Sequence, residues 1–482
     1  MIRQALFFSS LSQYIVKLIA FISVIVFARL LTPEELGVFA IASSLSMLVT
    51  EIRLLGTSNY LVREKELTAE TVQQGLGLTL LISWSLGLFI IITANFVSEF
   101  YGINDLATIF SILGLGFFLA PFISVISSLL SREFKYQTLM VSRLITQVVT
   151  FVVSLTLVLL GYSYYGLAWG VLVGSIAQFF ILVKAKPAMF TWIPKFNGLR
   201  KIVKFGLLSS GTNLLQRFDA TLPDLVIGKL GTPVNVAIFS RAGGLLSFVT
   251  QLLVLGVRPV SLPYLSQVKR DGGDLKEAYI KATLLLGSIT WPILLVVGFA
   301  SFPAIVFMFG EQWIDSTPLV SILVYWAVLR VIHTLSPSLL MASENDTIMF
   351  IKQLIVFITM LLGMILAFPY GLKAVAWAMV LAGLVDFILA SWTIKKAIGL
   401  SIFTFISSMS KNIVLCIVCS LFTIYLDHLI DFETTEPGIS MLVIAATLPF
   451  VWLGTVFATH HPIKSEILYI YKKLKNLGPI SK

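Results

Sequence analysis

The sequence predicts an all-α polytopic membrane protein with about fourteen transmembrane helices. Its composition is 57% hydrophobic and only 12% charged, with a mean hydropathy of +0.95, whereas soluble domains carry about 25% charged residues. Apolar runs recur along the chain, each near the ~20 residues that cross a hydrocarbon core. The basic residues fall mostly between these runs, in the segments that would form alternate loops.

Fourteen apolar runs are long enough to span a bilayer. A β-barrel would need shorter segments of alternating polarity. The first run is too long for a cleavable signal peptide and is followed at once by another span. The predicted spans are residues 5–31, 35–56, 72–97, 105–130, 138–160, 165–184, 203–229, 233–260, 277–303, 317–342, 347–368, 371–395, 405–427 and 438–458.

The distribution of lysine and arginine predicts the orientation. With the N-terminus inside, 24 of the 34 basic residues fall in inner loops and tails, and eight lie within spans. Only Lys229 and Lys373 fall outside. This positive-inside pattern predicts that both termini are cytoplasmic. The net charge of +10 is therefore attributed to the membrane surface, and no nucleic-acid partner is expected.

An internal repeat is visible at an offset of 200 residues. The segment from Arg29 to Pro33 parallels the segment from Lys229 to Pro233, and Phe39 parallels Phe239. Two lobes of six helices would share one orientation, which predicts a pseudo-two-fold axis along the membrane normal. The predicted domains are an N-lobe (1–184), a basic cytoplasmic linker (185–202), a C-lobe (203–396), and two further helices with a basic tail (397–482).

Two segments carry a family resemblance. Thr32 and Glu35 flank Pro33 in the spacing of a capping box, which predicts a sharp start of the second helix. The surrounding segment from Phe27 to Phe39 resembles the first hairpin of bacterial polysaccharide flippases, and Phe309 to Trp313 resembles their other recurrent signature. These Wzx-type O-antigen and exopolysaccharide exporters belong to the superfamily of the multidrug and toxin extrusion transporters.

The resemblance covers essentially the whole chain and implies a function. It implies translocation of an undecaprenyl-pyrophosphate-linked oligosaccharide across the bacterial inner membrane, from the cytoplasmic to the periplasmic leaflet, by alternating access through a cationic central cavity. The partners it implies are this lipid-linked oligosaccharide, membrane lipids, and a polysaccharide polymerase with chain-length proteins. A multidrug or small organic ion antiporter of the same superfamily is the alternative.

Charged residues inside the predicted spans are the candidate functional groups, because charge within a bilayer is costly. Eight basic groups against four acidic ones favour an anionic substrate. Lys17, Arg217 and Arg330 lie near mid-span, and internal Arg–Asp pairing is the alternative. The predicted substrate-binding residues are Lys17, Arg217, Arg330, Gln13, Asn213 and Arg241, and the ion-coupling candidates are Asp219, Asp224 and Asp386.

The sequence gives no support for an enzyme. The longest predicted outer loop, Asp427 to Gly438, is too short for a catalytic domain. No nucleotide-binding loop, nucleophile triad or metal-ligand cluster is recognisable. Cys416 and Cys419 lie inside an apolar run and are interpreted as packing residues. We therefore expect no catalytic residues, no metal and no cofactor.

Overall fold

The computed structural model describes residues 2–53, 57–342 and 346–476. Throughout these ranges the regular secondary structure is helical, which confirms the predicted fold class. Within them, the side chains that are not described are those of residues 2–12, 59, 201, 204–214, 216, 258, 259, 346, 347, 470, 471 and 474–476.

Twenty α-helices follow one another along the described chain. They are α1 (Ile2–Leu30), α2 (Pro33–Arg53), α3 (Thr57–Arg63), α4 (Ala69–Tyr101), α5 (Leu106–Arg132), α6 (Tyr136–Leu157), α7 (Ser163–Lys184), α8 (Arg200–Leu230), α9 (Pro233–Val254), α10 (Arg258–Arg270), α11 (Leu275–Phe299), α12 (Ser301–Phe309), α13 (Thr317–Ile332), α14 (Ser336–Ala342), α15 (Asp346–Ala367), α16 (Leu372–Ile398), α17 (Ile402–Ser408), α18 (Ser410–Ile430), α19 (Pro437–Ala458) and α20 (Ile463–Asn476).

Every predicted span coincides with a helix or a pair of helices. Twelve stretches of the described chain are long and apolar enough to cross a membrane. One of them, Tyr136–Lys184, contains both α6 and α7, which meet at a turn where Gly161 has φ of 89°. Helix α8 coincides with the predicted span 203–229, and its 31 residues are long enough to cross a bilayer.

Four predicted spans are divided between two helices where the sequence predicted one continuous run. The span 277–303 runs from α11 into α12 and the span 405–427 from α17 into α18, with one residue between the helices, and two other spans have wider breaks. Helices α9 and α10 are separated by residues 255–257, and α13 and α14 by residues 333–335. Proline explains both breaks, because Pro259 and Pro337 cannot donate the hydrogen bond to the carbonyl four residues earlier. The short helix α12 and the final helix α20 were not predicted as separate elements.

The capping box at the first hairpin is confirmed, and the repeat contains a second one. The Thr32 N–H donates to Glu35 Oε2 at 2.7 Å, and the Glu35 N–H donates back to Thr32 Oγ1 at 3.3 Å. At the start of α9, the Thr232 N–H donates to Asn235 Oδ1 at 3.1 Å, and the Asn235 N–H donates to Thr232 Oγ1 at 3.3 Å. The two segments therefore begin their helices by the same local bonds.

The chain forms two compact units, residues 1–240 and 241–482. Helix α8 and the start of α9 belong to the first unit, and the predicted boundaries of the two lobes remain a prediction. The two units repeat one local contact. The Ser58 and Ser124 hydroxyls lie 2.8 Å apart in the first unit, and the Ser261 and Ser338 hydroxyls lie 2.8 Å apart in the second.

Candidate functional site

Charged side chains on α1, α2 and α8 of the first unit lie within electrostatic range of one another, and one of them, Arg53, has its guanidinium 5.9 Å from the ring centroid of Phe117 on α5. Lys17 on α1 and Arg217 on α8 are close enough for their positive charges to repel each other. Glu51 on α2 forms an ion pair with Arg217, and Arg53, at the end of α2, lies within electrostatic range of Glu51. We call these four residues, Lys17, Glu51, Arg53 and Arg217, the cationic cluster.

The Arg217–Glu51 contact is direct. Arg217 Nε donates to Glu51 Oε1 at 2.8 Å, while the arginine Nη1 lies 3.6 Å from Met47 Sδ. The side chains are 39% and 15% exposed, respectively. Asp219 and Asp224 were the expected alternative partners of Arg217, but the ion pair that forms uses Glu51.

The start of α2 packs closely against the start of α9, and further along α2 packs against α8. A Cβ atom at Gly37 would lie 1.8 Å from the carbonyl oxygen of Pro233, so only glycine permits this approach. Further along, a Cβ at Gly228 would come within 2.9 Å of the Ile41 side chain. Gly37 of the first signature segment therefore allows the starts of α2 and α9 to meet, and Gly228 allows α8, which carries Arg217, to approach α2, which carries Glu51.

The charge balance of the cluster is positive. Among the described side chains, the cluster contains three cations and one carboxylate, and the Lys17 side chain is only half-buried. Holding an excess of like charge in a membrane-spanning region is costly unless water, lipid head groups or an anion can compensate it. The cluster can therefore bind a negatively charged group, with Arg217 offering further donors beyond the one used by Glu51.

The two candidate carboxylates of α8 have different surroundings. Asp224 accepts hydrogen bonds from Ser44 Oγ at 2.6 Å and from Ser240 Oγ. These bonds tie α8 to α2 and α9. Asp219 is only 2% exposed, so it has little access to solvent.

Two predicted substrate-binding cations of the second unit contact aromatic rings. The Arg330 guanidinium lies 4.9 Å from the centroid of Trp326, one turn earlier on α13. The Arg241 guanidinium lies 5.2 Å from Trp313 and 5.8 Å from Phe309. These two rings are fully buried members of the second signature. The signature therefore holds Arg241 by cation–π contacts.

Asp386 forms an ion pair that the sequence analysis did not foresee. Lys352 was assigned to an inner loop, but it lies on α15, and its Nζ contacts Asp386 Oδ1 on α16. Nearby, His333 is buried, with Nδ1 at 3.0 Å from the Tyr279 hydroxyl and Nε2 at 2.9 Å from Ser391 Oγ. Asp386 therefore has a charged partner on a different helix, 34 positions away in sequence.

The structure thus brings together two of the predicted binding residues. Lys17 and Arg217 share the cationic cluster, and Gln13 lies one turn before Lys17 and is half-buried. The side chain of Asn213 lies outside the described residues. Glu51 was recognised as an intramembrane acid but not paired with Arg217, since pairing across 166 positions leaves no signal in a single sequence. No group of metal-ligating side chains occurs in the described part of the chain.

Comparison with known proteins identifies the family. A family model described as "Polysaccharide biosynthesis protein" matches residues 26–318. Among curated relatives, the teichuronic acid biosynthesis protein TuaB of Bacillus subtilis is 20% identical over 371 residues, 74% of each chain. The lipopolysaccharide biosynthesis protein WzxC of Escherichia coli is 22% identical over 361 residues, 71% of this chain and 70% of the relative.

The fold matches solved transporters. The lipid II flippase MurJ in its inward closed conformation superposes with a TM-score of 0.77 and 17% identity, covering 95% of this chain and 99% of the other. An inward-facing multidrug transporter of the MATE family gives a TM-score of 0.66 with 14% identity over 79% of this chain and 95% of the other. The chain therefore belongs to the polysaccharide biosynthesis protein family, and its fold is that of the lipid II flippase MurJ and of MATE-family multidrug transporters.

Proposed function

We propose that this protein is a flippase that moves an undecaprenyl-pyrophosphate-linked oligosaccharide from the cytoplasmic to the periplasmic leaflet. The observation that carries the proposal is the positive surplus of the cationic cluster, in which Lys17, Arg53 and Arg217 face one carboxylate. Three relatives are named for teichuronic acid, succinoglycan and lipopolysaccharide biosynthesis. They support a glycan substrate of this class rather than one particular glycan.

The cluster suits the physical difficulty of the task. An unpaired phosphate charge is severely disfavoured in hydrocarbon. Fixed cations that remain half-exposed would offset this cost while the lipid tail stays in the bilayer. Arginine binds phosphate through two parallel hydrogen bonds and lysine acts as a point charge, so Arg217 and Lys17 would bind the pyrophosphate or acidic sugars. We propose that Arg330 and Arg241 also bind the substrate, and that transport proceeds by alternating access through a cationic cavity.

Ion coupling is the second part of the proposal, with Asp219, Asp224 and Asp386 as its candidates. A carboxylate that exchanges a proton or sodium ion during transport must change its partners between states. Asp224 has two serine donors and Asp386 has Lys352, so each has partners that could be exchanged. If transport persists after all three are neutralised and the ion gradients are collapsed, no coupling carboxylate lies among them.

Complementation of surface polysaccharide tests the main proposal. The strain lacks its own transporter, and protein abundance is followed by blot. Single changes of Lys17, Arg217 or Arg330 to Ala should abolish export at normal abundance, whereas Lys281→Ala, at an exposed position of α11, should not. Full export by the triple Ala variant would disprove the role of these cations. Arg217→Lys should retain export if charge suffices and lose it if the paired hydrogen bonds are required.

Orientation and substrate need separate measurements. Both termini are proposed to be cytoplasmic, so reporter fusions at Phe190 and Asn476 should read inside and one at Glu433 outside. A transport assay that compares labelled lipid-linked oligosaccharide with an organic cation distinguishes the flippase from a multidrug antiporter. Polymerase and chain-length proteins are proposed partners, which copurification from the native membrane would test.

A further inference from the structure

The segment between α7 and α8, residues 185–199, is packed against the first unit although it has no regular secondary structure. We call it the strap. Its Phe190 is 4% exposed and lies in a core cluster with Leu76 and Leu130. The Lys195 N–H donates to the carbonyl of Gln73 at 3.0 Å. The strap is therefore fixed to α4 by backbone as well as side-chain contacts.

Glycine on α4 makes this close approach possible. A Cβ atom at Gly77 would lie 2.1 Å from the carbonyl oxygen of Lys195. The Lys195 ammonium also forms an ion pair with Glu70 Oε1 at 3.0 Å. These contacts hold the middle of the strap in one position, so the side chains on its other face have a defined direction.

Aromatic rings pack against one another where the strap meets the helices of the first unit. The Trp192 ring lies 5.1 Å from Phe190 and 5.5 Å from Phe122. Lys186 Nζ lies 5.3 Å from the Trp192 centroid. Trp192 thus joins the inner aromatic layer to a basic residue at the surface, a combination typical of side chains at a membrane–water interface.

The outer face of the strap exposes large apolar side chains. Ile193 is 71% exposed, Phe196 56% and Trp192 44%. Three exposed cations flank them, at Lys184, Lys186 and Arg200. Apolar side chains grouped on a loop and bordered by positive charge mark an interaction surface rather than ordinary solvent exposure.

We propose that the strap binds anionic phospholipid head groups, with Ile193 and Phe196 inserted at the interface and the flanking cations on the lipid phosphates. The strap joins the ends of two spans, α7 and α8, so it lies at the level where a bilayer has its head groups. Apolar insertion with electrostatic attraction is the physical basis of interfacial binding. This lipid-binding surface shares no residue with the cationic cluster. The proposal rests on the proposed orientation only where it assigns the strap to the cytoplasmic leaflet.

A fluorescent probe on the strap tests the contact directly. An environment-sensitive fluorophore is attached to Ile193→Cys in the full chain, and the native Cys416 and Cys419 are buried and should not react. In nanodiscs with anionic lipid its emission should shift to the blue and be quenched by brominated lipids. Glu66→Cys, on an exposed loop at the same end of the unit, is the matched control and should stay in water.

Varying the salt concentration and the lipid charge separates the electrostatic contribution to lipid binding from the contribution of apolar insertion. Raising the ionic strength from about 0.01 M to about 1 M shortens the Debye length from about 30 Å to about 3 Å. The advantage of anionic over zwitterionic nanodiscs should then largely disappear. A water-accessible probe in both kinds of nanodisc would overturn the proposal, and equal quenching in both would overturn the preference for anionic lipid.

A second measurement uses unlabelled variants, so that its result does not depend on any change that the attached fluorophore causes in the strap. The double variant Ile193→Asp with Phe196→Asp should lose binding of the solubilised protein to anionic vesicles, whereas Asn197→Asp, an exposed polar position of the same strap, should keep it. Phe190 and Lys195 stay unchanged in both, so the inner contacts are retained. Vesicle binding that is unaltered by the double variant would contradict the proposal. A probe at Ile193→Cys that is already shielded from water by protein in detergent, without lipid, would contradict it as well.

Discussion

Two ion pairs in the described parts of the spans, Arg217–Glu51 and Lys352–Asp386, differ in exposure and in charge balance. In the first unit, Arg217 is 39% exposed beside Glu51, and Lys17 and Arg53 add two further positive charges nearby. In the second unit, Lys352 and Asp386 are 10% and 19% exposed. The charged groups of that second pair balance, and the buried His333 is the titratable side chain in electrostatic range of both.

The difference teaches what each pair is suited to do. A balanced, buried pair compensates its own charges, and breaking it leaves one charge without compensation in a low-dielectric environment. A half-exposed arginine within a positive surplus keeps charge and hydrogen-bond donors for a ligand. We therefore expect the second pair to matter most for stability and the first to matter most for anion binding.

The largest effect on stability is expected for Asp386→Asn. It leaves the Lys352 ammonium without its carboxylate, and breaking a buried pair by removing one partner costs about 3–5 kcal/mol. The free energy of unfolding in detergent, followed by denaturant titration, measures this cost. Combining Lys352→Met with Asp386→Leu removes both charges and should recover most of it. A loss below about 1 kcal/mol for Asp386→Asn would erase the contrast between the pairs.

A smaller effect, on anion affinity, is expected for Glu51→Gln. This variant tests the role assigned to the ion pair of the first unit. The substitution keeps the shape of the side chain and removes the negative charge that competes for Arg217. A partly exposed ion pair is worth up to about 1 kcal/mol, so inorganic pyrophosphate should bind up to about fivefold more tightly. Calorimetric titration measures the affinity, and Glu66→Gln on an exposed loop is the control. Unchanged or weaker binding would show that Glu51 does not compete.

The smallest stability effect is expected for Arg217→Ala. Its side chain is 39% exposed, and Arg53 remains near Glu51 to compensate the carboxylate. The unfolding free energy should fall by no more than about 1 kcal/mol, although export should be lost. Parallel unfolding and complementation measurements check this. An unfolding loss as large as that of Asp386→Asn would mean that Arg217 is a structural residue.

Much of the architecture could be predicted because its causes are local. The fourteen apolar runs each coincide with one helix or a pair of helices, since a spanning segment must be about 20 residues long and satisfy its own backbone hydrogen bonds. Thr32 and Glu35 predicted the capping box because both partners lie within one turn. The breaks at α9–α10 and α13–α14 could have been predicted from Pro259 and Pro337 by the same reasoning.

The cationic cluster could be predicted from the sequence only in part. Lys17 and Arg217 stood out because charge inside a span is costly wherever it occurs. Their neighbours did not, because Glu51 reaches Arg217 only after α2 packs against α8, and Lys352 reaches Asp386 only after α15 packs against α16. The strap was predicted as a basic linker, but its fixed conformation depends on Gly77, Phe190 and the core of the first unit.

The sequence alone determined that this chain is a helical membrane protein with charges inside its spans, because hydrophobicity, chain length and helix capping act over a few turns. Tertiary structure decided which of those charges are neutralised. Arg217 pairs with Glu51 and Asp386 with Lys352, because helices distant in sequence are brought within a few ångströms. Electrostatic energy depends on that separation and on the local dielectric, and neither is set by spacing along the chain.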